Sequence, residues 1–266
     1  MPSSPGLHLV QLTDTHLFAN EQGEMKGWQT ARSLQAVLQA VAQLQPRPDL
    51  LLLTGDLSQD ETEESYRLLL RLIAPLNIPA VWLPGNHDQA IAPMERVLSV
   101  FPASTQKCLQ LGGWNLVLLD SSQFNQVSGW LADDSLAWLD QQLCQFADLP
   151  TLVALHHPPL AIGSAWMDAI GLQNREALLA TLDRHPQVKL VVFGHIHQAF
   201  EQERQGVRYW GTPSTCVQFS PNVDEFAIDS AQQPGFRQIT LYLDGGYDTQ
   251  VVRVAVAASS DAVPSG

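Results

Sequence analysis

The sequence predicts an α/β fold with parallel strands in its first half, on three observations. Short apolar runs of strand length recur at residues 9–12, 50–54, 80–83, 152–155 and 190–193. Segments with apolar residues at helical spacing alternate with them, and each run ends abruptly in a small group of Asp, Asn, Gly or His. Runs of this kind are expected of strands covered on both faces, and strands alternating with helices are joined as parallel pairs by right-handed crossovers.

The first run, interrupted only by Gln11, is followed by residues 30–44. There Leu34, Val37, Leu38, Val41 and Leu44 share one helical face until Pro46 and Pro48 close the helix. The run at 50–54 completes a βαβ unit. Residues 61–73 then lead through Pro75 and Pro79 into 80–83, which repeats the pattern. Residues 114–120 read as a further strand and 135–146 as a helix with Leu136, Leu139 and Leu143 turned inward. Alternation resumes with 152–155, 174–184 and 190–193. Residues 207–210, 236–243 and 250–256 have no helix between them and read as antiparallel strands with a Gly245-Gly246 turn, forming a second sheet packed on the first. From Ala257 onward small and polar residues with Pro264 and Gly266 read as a disordered tail, leaving one domain over residues 1–256.

A chain of 266 residues with 45% hydrophobic content can bury a full core. A net charge of -13 with only 14 Lys and Arg argues against a nucleic-acid or anionic-membrane partner, since phosphate backbones and acidic leaflets select for cations. An anionic small-molecule substrate must then be met by metal and local donors. No basic segment precedes an apolar signal-like run, and no run approaches the roughly 20 residues that span a bilayer, so the expected location is the cytoplasm. Cys108, Cys144 and Cys216 are too few and too widely spaced for a disulfide framework or a CxxC knuckle, and read as reduced packing residues. The oligomeric state stays open, a homodimer included.

The polar strand ends are Asp14-Thr15-His16, Gly55-Asp56, Gly85-Asn86-His87-Asp88, His156-His157 and Gly194-His195-Ile196-His197. Such groups are costly to bury unpaired, and none has an Arg or Lys beside it, so a cation is the simplest partner. In parallel sheets ligands collect beyond the carboxyl ends of strands, where all five sit. Oxygen and imidazole donors without thiolate suit Mn, Fe or Zn, and seven or so donors exceed the need of one ion, which favours two ions sharing a ligand.

The ordered set Asp14-x-His16, Gly55-Asp56, Gly85-Asn86-His87-Asp88, His156 and Gly194-His195-x-His197 resembles the calcineurin-like metallophosphoesterase family over roughly residues 9 to 219. The surrounding words, among them Trp82-Leu83-Pro84-Gly85-Asn86-His87-Asp88, Gly194-His195-Ile196-His197-Gln198 and Thr212-Pro213-Ser214-Thr215-Cys216-Val217-Gln218-Phe219, are similar to bacterial class III 3',5'-cyclic-AMP phosphodiesterases. The resemblance implies a four-layer α/β/β/α sandwich. It makes Asp14, His16 and His197 ligands of one divalent ion, Asn86, His156 and His195 ligands of the other, and Asp56 the bridge, with Fe or Mn expected and Zn as an alternative. A water between the ions, its pKa lowered, would be the nucleophile. Asn86 and His87 would face the phosphate, and His16, Asp56 and His197 would line the nucleotide from the metal side. His87, not itself a ligand, would be catalytic together with Asp56, bonding a phosphate oxygen or protonating the departing ribose oxygen. Many family members carry a carboxylate three residues after the bridge to orient this His; here that position is Gln59, and Asp60 is the next candidate.

The expected activity is hydrolysis of 3',5'-cyclic AMP to 5'-AMP. The alternatives are another phosphodiester, such as a glycerophosphodiester or a different cyclic nucleotide, and a silent metal-binding protein, against which the intact ligand set speaks. Other residues take plainer roles. His157 is expected in the core, Asp88 holds a turn through backbone hydrogen bonds, and Cys216 packs, with no adjacent base to activate it. The acidic residues Asp60, Glu61, Glu63 and Glu64 read as a solvated helix start. Trp166 and Phe219 are candidate adenine contacts.

Overall fold

The computed structural model describes residues 6–89, 91–100 and 108–256; the tail expected from Ala257 lies outside them. The chain begins with β1 (Leu7–Leu12), a short ribbon of β2 (Glu24–Met25) and β3 (Trp28–Gln29), and α1 (Thr30–Ala42). β4 (Leu50–Thr54), α2 (Glu63–Ile73), β5 (Ala80–Leu83) and α3 (Ile91–Leu98) follow. Then come β6 (Cys108–Leu111), β7 (Trp114–Leu118), α4 (Asp133–Gln145), β8 (Thr151–Ala154), a single turn α5 (Ala165–Asp168), α6 (Arg175–Leu182) and β9 (Val188–Phe193). The last strands are β10 (Phe200–Arg204), β11 (Val207–Gly211), β12 (Gly235–Leu241) and β13 (Tyr247–Arg253). No helix among the described residues is long and apolar enough to cross a membrane.

Two sheets result, ordered β13-β12-β1-β4-β5 and β10-β11-β9-β8-β7-β6. β1, β4 and β5 are parallel, as are β7, β8, β9 and β11. The late strands do not form a sheet of their own, contrary to the expectation from sequence. β11 joins β9 in parallel, whereas β12 and β13 return to the first sheet as its antiparallel edge beside β1. Absence of a helix between these strands carried no information on which sheet each one joins, or in which direction it runs. β6 and β10 went unread because edge strands are only partly covered: Phe200–Arg204 exposes Glu201, Gln202 and Glu203. α2 starts two residues later than expected, where the Thr62 side chain accepts the Ser65 N–H at 3.2 Å as an N-cap.

Alternation along the central strands divides the core into three apolar layers. Leu50 and Leu52 face the other sheet with Leu9, Val81, Trp114, Leu116, Leu152, Leu190 and Val192. Leu51 and Leu53 face outward under α1 and α2 with Leu34, Val37 and Leu69. On the far side Val117, Val153 and Val191 lie under Leu139, Leu143, Leu178 and Leu182 of α4 and α6. The order is therefore helices, sheet, sheet, helices. Each Leu so buried contributes about 1.5–3 kcal/mol, and the arrangement brings the carboxyl ends of β1, β4, β5, β8 and β9 to one rim.

Buried polar side chains stitch the two sheets together at that rim. Gln11, the one polar residue of β1 within its apolar run, donates to Thr54 Oγ1 (2.9 Å) and to the Phe193 carbonyl (3.2 Å), and accepts from Thr212 Oγ1 (2.6 Å). Arg237 of β12 is fully buried and donates to the Gly211 carbonyl (3.0 Å), Thr249 Oγ1 (3.0 Å) and Glu201 (2.9 Å), with its guanidinium over Trp210. Removing it strands a buried carbonyl and leaves a cavity. Arg237→Met should lower the free energy of unfolding by about 2 kcal/mol or more, read as a shift of the urea midpoint at constant m. An unchanged midpoint would show that this buried link contributes nothing.

Candidate active site

The loops beyond the strand ends continue the pairing of the strands below them. Asp14 N–H donates to the Gly55 carbonyl (3.0 Å), His16 N–H to Asp56 (2.9 Å) and Leu17 N–H to Leu57 (3.1 Å), so loop 13–17 runs beside loop 55–59. From the second sheet, Gly194 N–H bonds the His156 carbonyl at 3.1 Å. Asp14, His16, Asp56, His195 and His197 all hold left-handed backbone, with φ of 53, 45, 50, 70 and 48°. Each such residue costs of order 1–3 kcal/mol and persists only where its surroundings dictate it. Here they do. The Asp14 carboxylate accepts from Thr13 Oγ1 (2.7 Å) and from His195 N–H (3.1 Å to either oxygen), and its carbonyl accepts from Ser214 Oγ (2.7 Å). A Cβ at Gly85 would collide with Asp56 Oδ1, which is why glycine follows Pro84 in the loop after β5.

The side chains converge on two adjoining groups. In the first, His16 Nε2 lies 3.1 Å from His197 Nε2, which is 3.4 Å from Asp14 Oδ1. In the second, His156 Nε2 lies 3.2 Å from Asn86 Oδ1 and 3.3 Å from His195 Nδ1. Asp56 Oδ2 faces both, 3.7 Å from His16 Nε2 and 3.4 Å from His156 Nε2, while Oδ1 accepts the His87 N–H at 2.8 Å. Oxygen and nitrogen ligands about 2.0–2.2 Å from one ion stand about 3–3.4 Å from one another, so these spacings fit cation coordination. The outer nitrogens agree. Nδ1 of His16, His197 and His156 bonds Gln59 Oε1 (2.9 Å), the Val217 carbonyl (2.9 Å) and the Thr54 carbonyl (2.8 Å). Each acceptor fixes the proton on Nδ1 and leaves the Nε2 lone pair aimed inward, as metal-binding imidazoles require.

Charge tells the same story. Asp14 and Asp56 are buried, and their ion-pair partners among the described residues are histidines, never Lys or Arg. Burial pushes both carboxyls up, yet His197 beside Asp14 and His156 beside Asp56 hold them below the usual range. Burial pulls His156 down, but the Asp56 carboxylate more than offsets it and the ring rises to about 9. For His16 burial wins over Asp56 and the ring falls to about 3. The protein thus gathers carboxylates and imidazoles in a dry site with no Lys or Arg paired to them among the described residues, a donor set that suits divalent cations.

The family model for the calcineurin-like phosphoesterases matches residues 7–199. The chain belongs to this family. Divalent metal ions are a property of the family, and the two donor groups are where they would be held. A 3',5'-cyclic-nucleotide phosphodiesterase of Nostoc sp. is 48% identical over 93% of this chain and 92% of its own length. The 3',5'-cyclic adenosine monophosphate phosphodiesterases CpdA of Pseudomonas aeruginosa and Escherichia coli K12 are 44% and 40% identical over 92% and 94% of this chain, and 89% and 90% of theirs. A dimetal phosphatase from Danio rerio superposes with a TM-score of 0.69 at 13% identity, covering 94% of this chain and all of that one, which reflects the shared sandwich.

All eight residues singled out from the sequence, Asp14, His16, Asp56, Asn86, His87, His156, His195 and His197, meet at this rim. His157 does not contribute a donor: Ser121 Oγ (2.8 Å) and the Val127 carbonyl (3.0 Å) occupy its two nitrogens, and burial holds it down at about 3. Phe219 lies flat on His197, centroids 4.1 Å apart and 11° between planes, with Trp166 edge-on to it at 5.4 Å. One face of Phe219 therefore braces a candidate ligand. Cys216 is buried, its thiol pushed up to about 12 by burial, with Ser214 Oγ at 3.2 Å and no base beside it. Asp60 turns away from His87 and accepts from Ala19 N–H (2.8 Å) and Thr62 Oγ1 (2.8 Å). The partner of His87 is Gln59, whose amide nitrogen is 3.3 Å from Nδ1. In sequence Gln59 stands out only as a departure from the family pattern; the structure shows that it keeps the contact. Ser214, which holds the Asp14 carbonyl, was missed altogether, its only signal being the Thr212 to Phe219 wording.

Asp88 ties the loops after β4 and β5 together. Its carboxylate accepts from the N–H groups of Gly85, Leu57 and Ser58, each at 3.0 Å, and from Tyr66 Oη at 3.0 Å. Burial first and Asp56 second raise its pKa to about 6 against the pull of those backbone donors. Asp88→Ala strands three buried N–H groups, each worth about 1–3 kcal/mol when unpaired. It should lower both stability and bound metal, measured by denaturation and elemental analysis. A variant of wild-type stability and metal content would reduce Asp88 to a bystander.

Proposed function

We propose that this protein is a dimetal phosphodiesterase that hydrolyses 3',5'-cyclic AMP to 5'-AMP. The observation that carries the reading is Asp56 Oδ2, a single buried carboxylate oxygen facing His16 Nε2 on one side and His156 Nε2 on the other. Relatives 40–48% identical over more than nine-tenths of the chain, named as cyclic-nucleotide phosphodiesterases, support the substrate. Asp14, His16 and His197 would hold one divalent ion and Asn86, His156 and His195 the other, with Asp56 facing both groups. Imidazoles, one amide and two carboxylates, without thiolate, favour Fe or Mn, with Zn next. When bound, the two ions supply Lewis acidity at the phosphate and lower the pKa of water enough for it to attack near neutral pH.

The chain's own residues do the rest. Thr54, Val217 and Gln59 orient three of the imidazoles through their Nδ1 protons. Asp56 Oδ1, by accepting the His87 N–H, ties the backbone of the non-ligand histidine to the bridging carboxylate. Asn86 and His87 face the phosphate, and His16, Asp56 and His197 line the nucleotide on the metal side. In the reaction the water oxygen bonds phosphorus as the bond from phosphorus to the 3' oxygen breaks, and the departing oxygen gains a proton.

The test is turnover by metal-stripped and reloaded protein. Chelation should abolish hydrolysis of cyclic AMP, and Mn or Fe should restore it better than Mg, because imidazole favours transition metals. Faster turnover of a glycerophosphodiester than of cyclic AMP would overturn the substrate, and activity surviving chelation would overturn the chemistry. Asp56→Ala should lose at least one ion and nearly all turnover, whereas Asn86→Ala should lose less metal, the amide being the weakest ligand of the set. His87→Ala should keep both ions while kcat falls by about 10²–10⁴-fold, with elemental analysis and steady-state rates as the measurements. Loss of metal in that variant would make His87 a ligand.

A further inference from the structure

The side-chain amide of Gln59 bridges a metal-facing ring and the ring of His87. Its Oε1 is 2.9 Å from His16 Nδ1 and its Nε2 is 3.3 Å from His87 Nδ1, and the two imidazoles meet edge to face with centroids 5.1 Å apart. The residue is fixed from behind, since its own N–H donates to the Leu17 carbonyl at 2.8 Å. An amide has one accepting and one donating end, so it satisfies two imidazole nitrogens only when one bears a proton and the other does not. His16 decides which. Its Nε2 points at His197 Nε2 and Asp56 Oδ2 and must keep its lone pair there to act as a ligand, so Nδ1 carries the proton and Oε1 accepts it. The amide NH2 is then turned to His87, whose Nδ1 must be bare and whose proton sits on Nε2. Reversing the amide would put a proton on His16 Nε2, against the cation site.

We propose that Gln59 is a positioning residue that locks His87 as the neutral Nε2–H tautomer and so makes it a hydrogen-bond donor to phosphate rather than the acid that protonates the leaving oxygen. The inference rests on the phosphodiesterase reading and deepens it. A neutral imidazole that surrendered its single proton would become imidazolate, so His87 keeps that proton. The proton gained by the departing 3' oxygen is, on balance, the one released by the water whose oxygen bonds phosphorus. A carboxylate at this position would accept from both rings and call for a proton on His87 Nδ1; the amide calls for none. Asp60, the adjacent carboxylate, does not compete, because Ala19, Thr62 and Ser58 occupy it.

The experiment uses zinc-loaded enzyme with nitrogen-15 histidine, read by long-range proton–nitrogen NMR, with the His87 signals identified by their loss in His87→Gln. The expected result is a protonated Nε2 and a bare Nδ1 on His87, with Nδ1 becoming protonated in Gln59→Glu while metal content holds. In kinetics with Mn, His87→Gln should cost cyclic AMP and a nitrophenyl phosphodiester the same within about threefold, since a phosphate contact serves both leaving groups alike. Made in the Gln59→Glu background, the same change should cost cyclic AMP the more. Gln59→Leu should lower kcat by about 10–100-fold, the scale of a misplaced group, and Gln59→Glu should recover most of it. A proton on His87 Nδ1 in the wild type, or a deficit many-fold larger for cyclic AMP than for the nitrophenyl ester, would overturn the proposal. Because the NMR signature needs no turnover, an inert wild type with a bare Nδ1 would overturn the phosphodiesterase reading while upholding the tautomer that Gln59 sets.

Discussion

The constraint on which the site depends is the burial of Asp14 and Asp56 with no Lys or Arg to balance them among the described residues. A carboxylate in a dry interior is costly unless positive charge meets it, and only imidazoles stand beside these two. Divalent ions, which the family implies, would meet it, and one Asp56 oxygen already faces both donor groups. The overall charge of -13 sharpens the point. In a protein with so few cationic side chains, the proposed reading asks metal and N–H donors to supply the attraction for an anionic phosphate, and bound cations would reverse the sign of the site.

Topology explains how seven donors from five strand ends come within ligand distance. Parallel order in each sheet sends β1, β4 and β5, and β8 and β9, to one rim, and the facing of the sheets sets Asp14 and Asp56 opposite His156, His195 and His197. Precision beyond that comes from polar links across the sheets. Gln11 joins β1 to the carbonyl of Phe193, His156 Nδ1 reaches back to Thr54, and Ser214 holds the Asp14 carbonyl. The left-handed conformation of five donor residues is the cost of turning side chains of different sheets onto common points, and the same links offset it.

The central strands and their polar ends were legible because double burial leaves an uninterrupted apolar run, against which Asp, Asn and His stand out. The edges were not. β6 and β10 are half-covered and carry polar or charged residues, so their sequences lack a clear pattern, and the sheet that β11 or β12 joins is decided by where the chain crosses the rim after Gly211, which no periodicity records. The partner of His87 illustrates a finer limit. A search for a carboxylate points to Asp60, one residue beyond the family position, yet the chain bends here, and Asp60 is turned to Ala19 and Thr62 while Gln59 faces the histidines. Residue type suggested the wrong neighbour; direction chose the right one.

The match to the family model ends at residue 199, yet the chain beyond it still bears on the site. The Danio rerio phosphatase shares the fold at 13% identity, whereas the cyclic-nucleotide phosphodiesterase of Nostoc sp. is 48% identical over 93% of the chain, a span that must include most of the residues after 199. That later stretch holds the crossing from β11 to β12, and it is no mere connection. Ser214 fixes Asp14, Val217 fixes the tautomer of His197, and Phe219 lies flat against the same ring with Trp166 and Phe226 around it. The segment therefore contacts the candidate ligands Asp14 and His197, whereas Gln59 contacts His16 and His87. Three residues after position 199 thus brace two candidate ligands, so a change in this stretch would disturb the donor geometry as well as the surface around it.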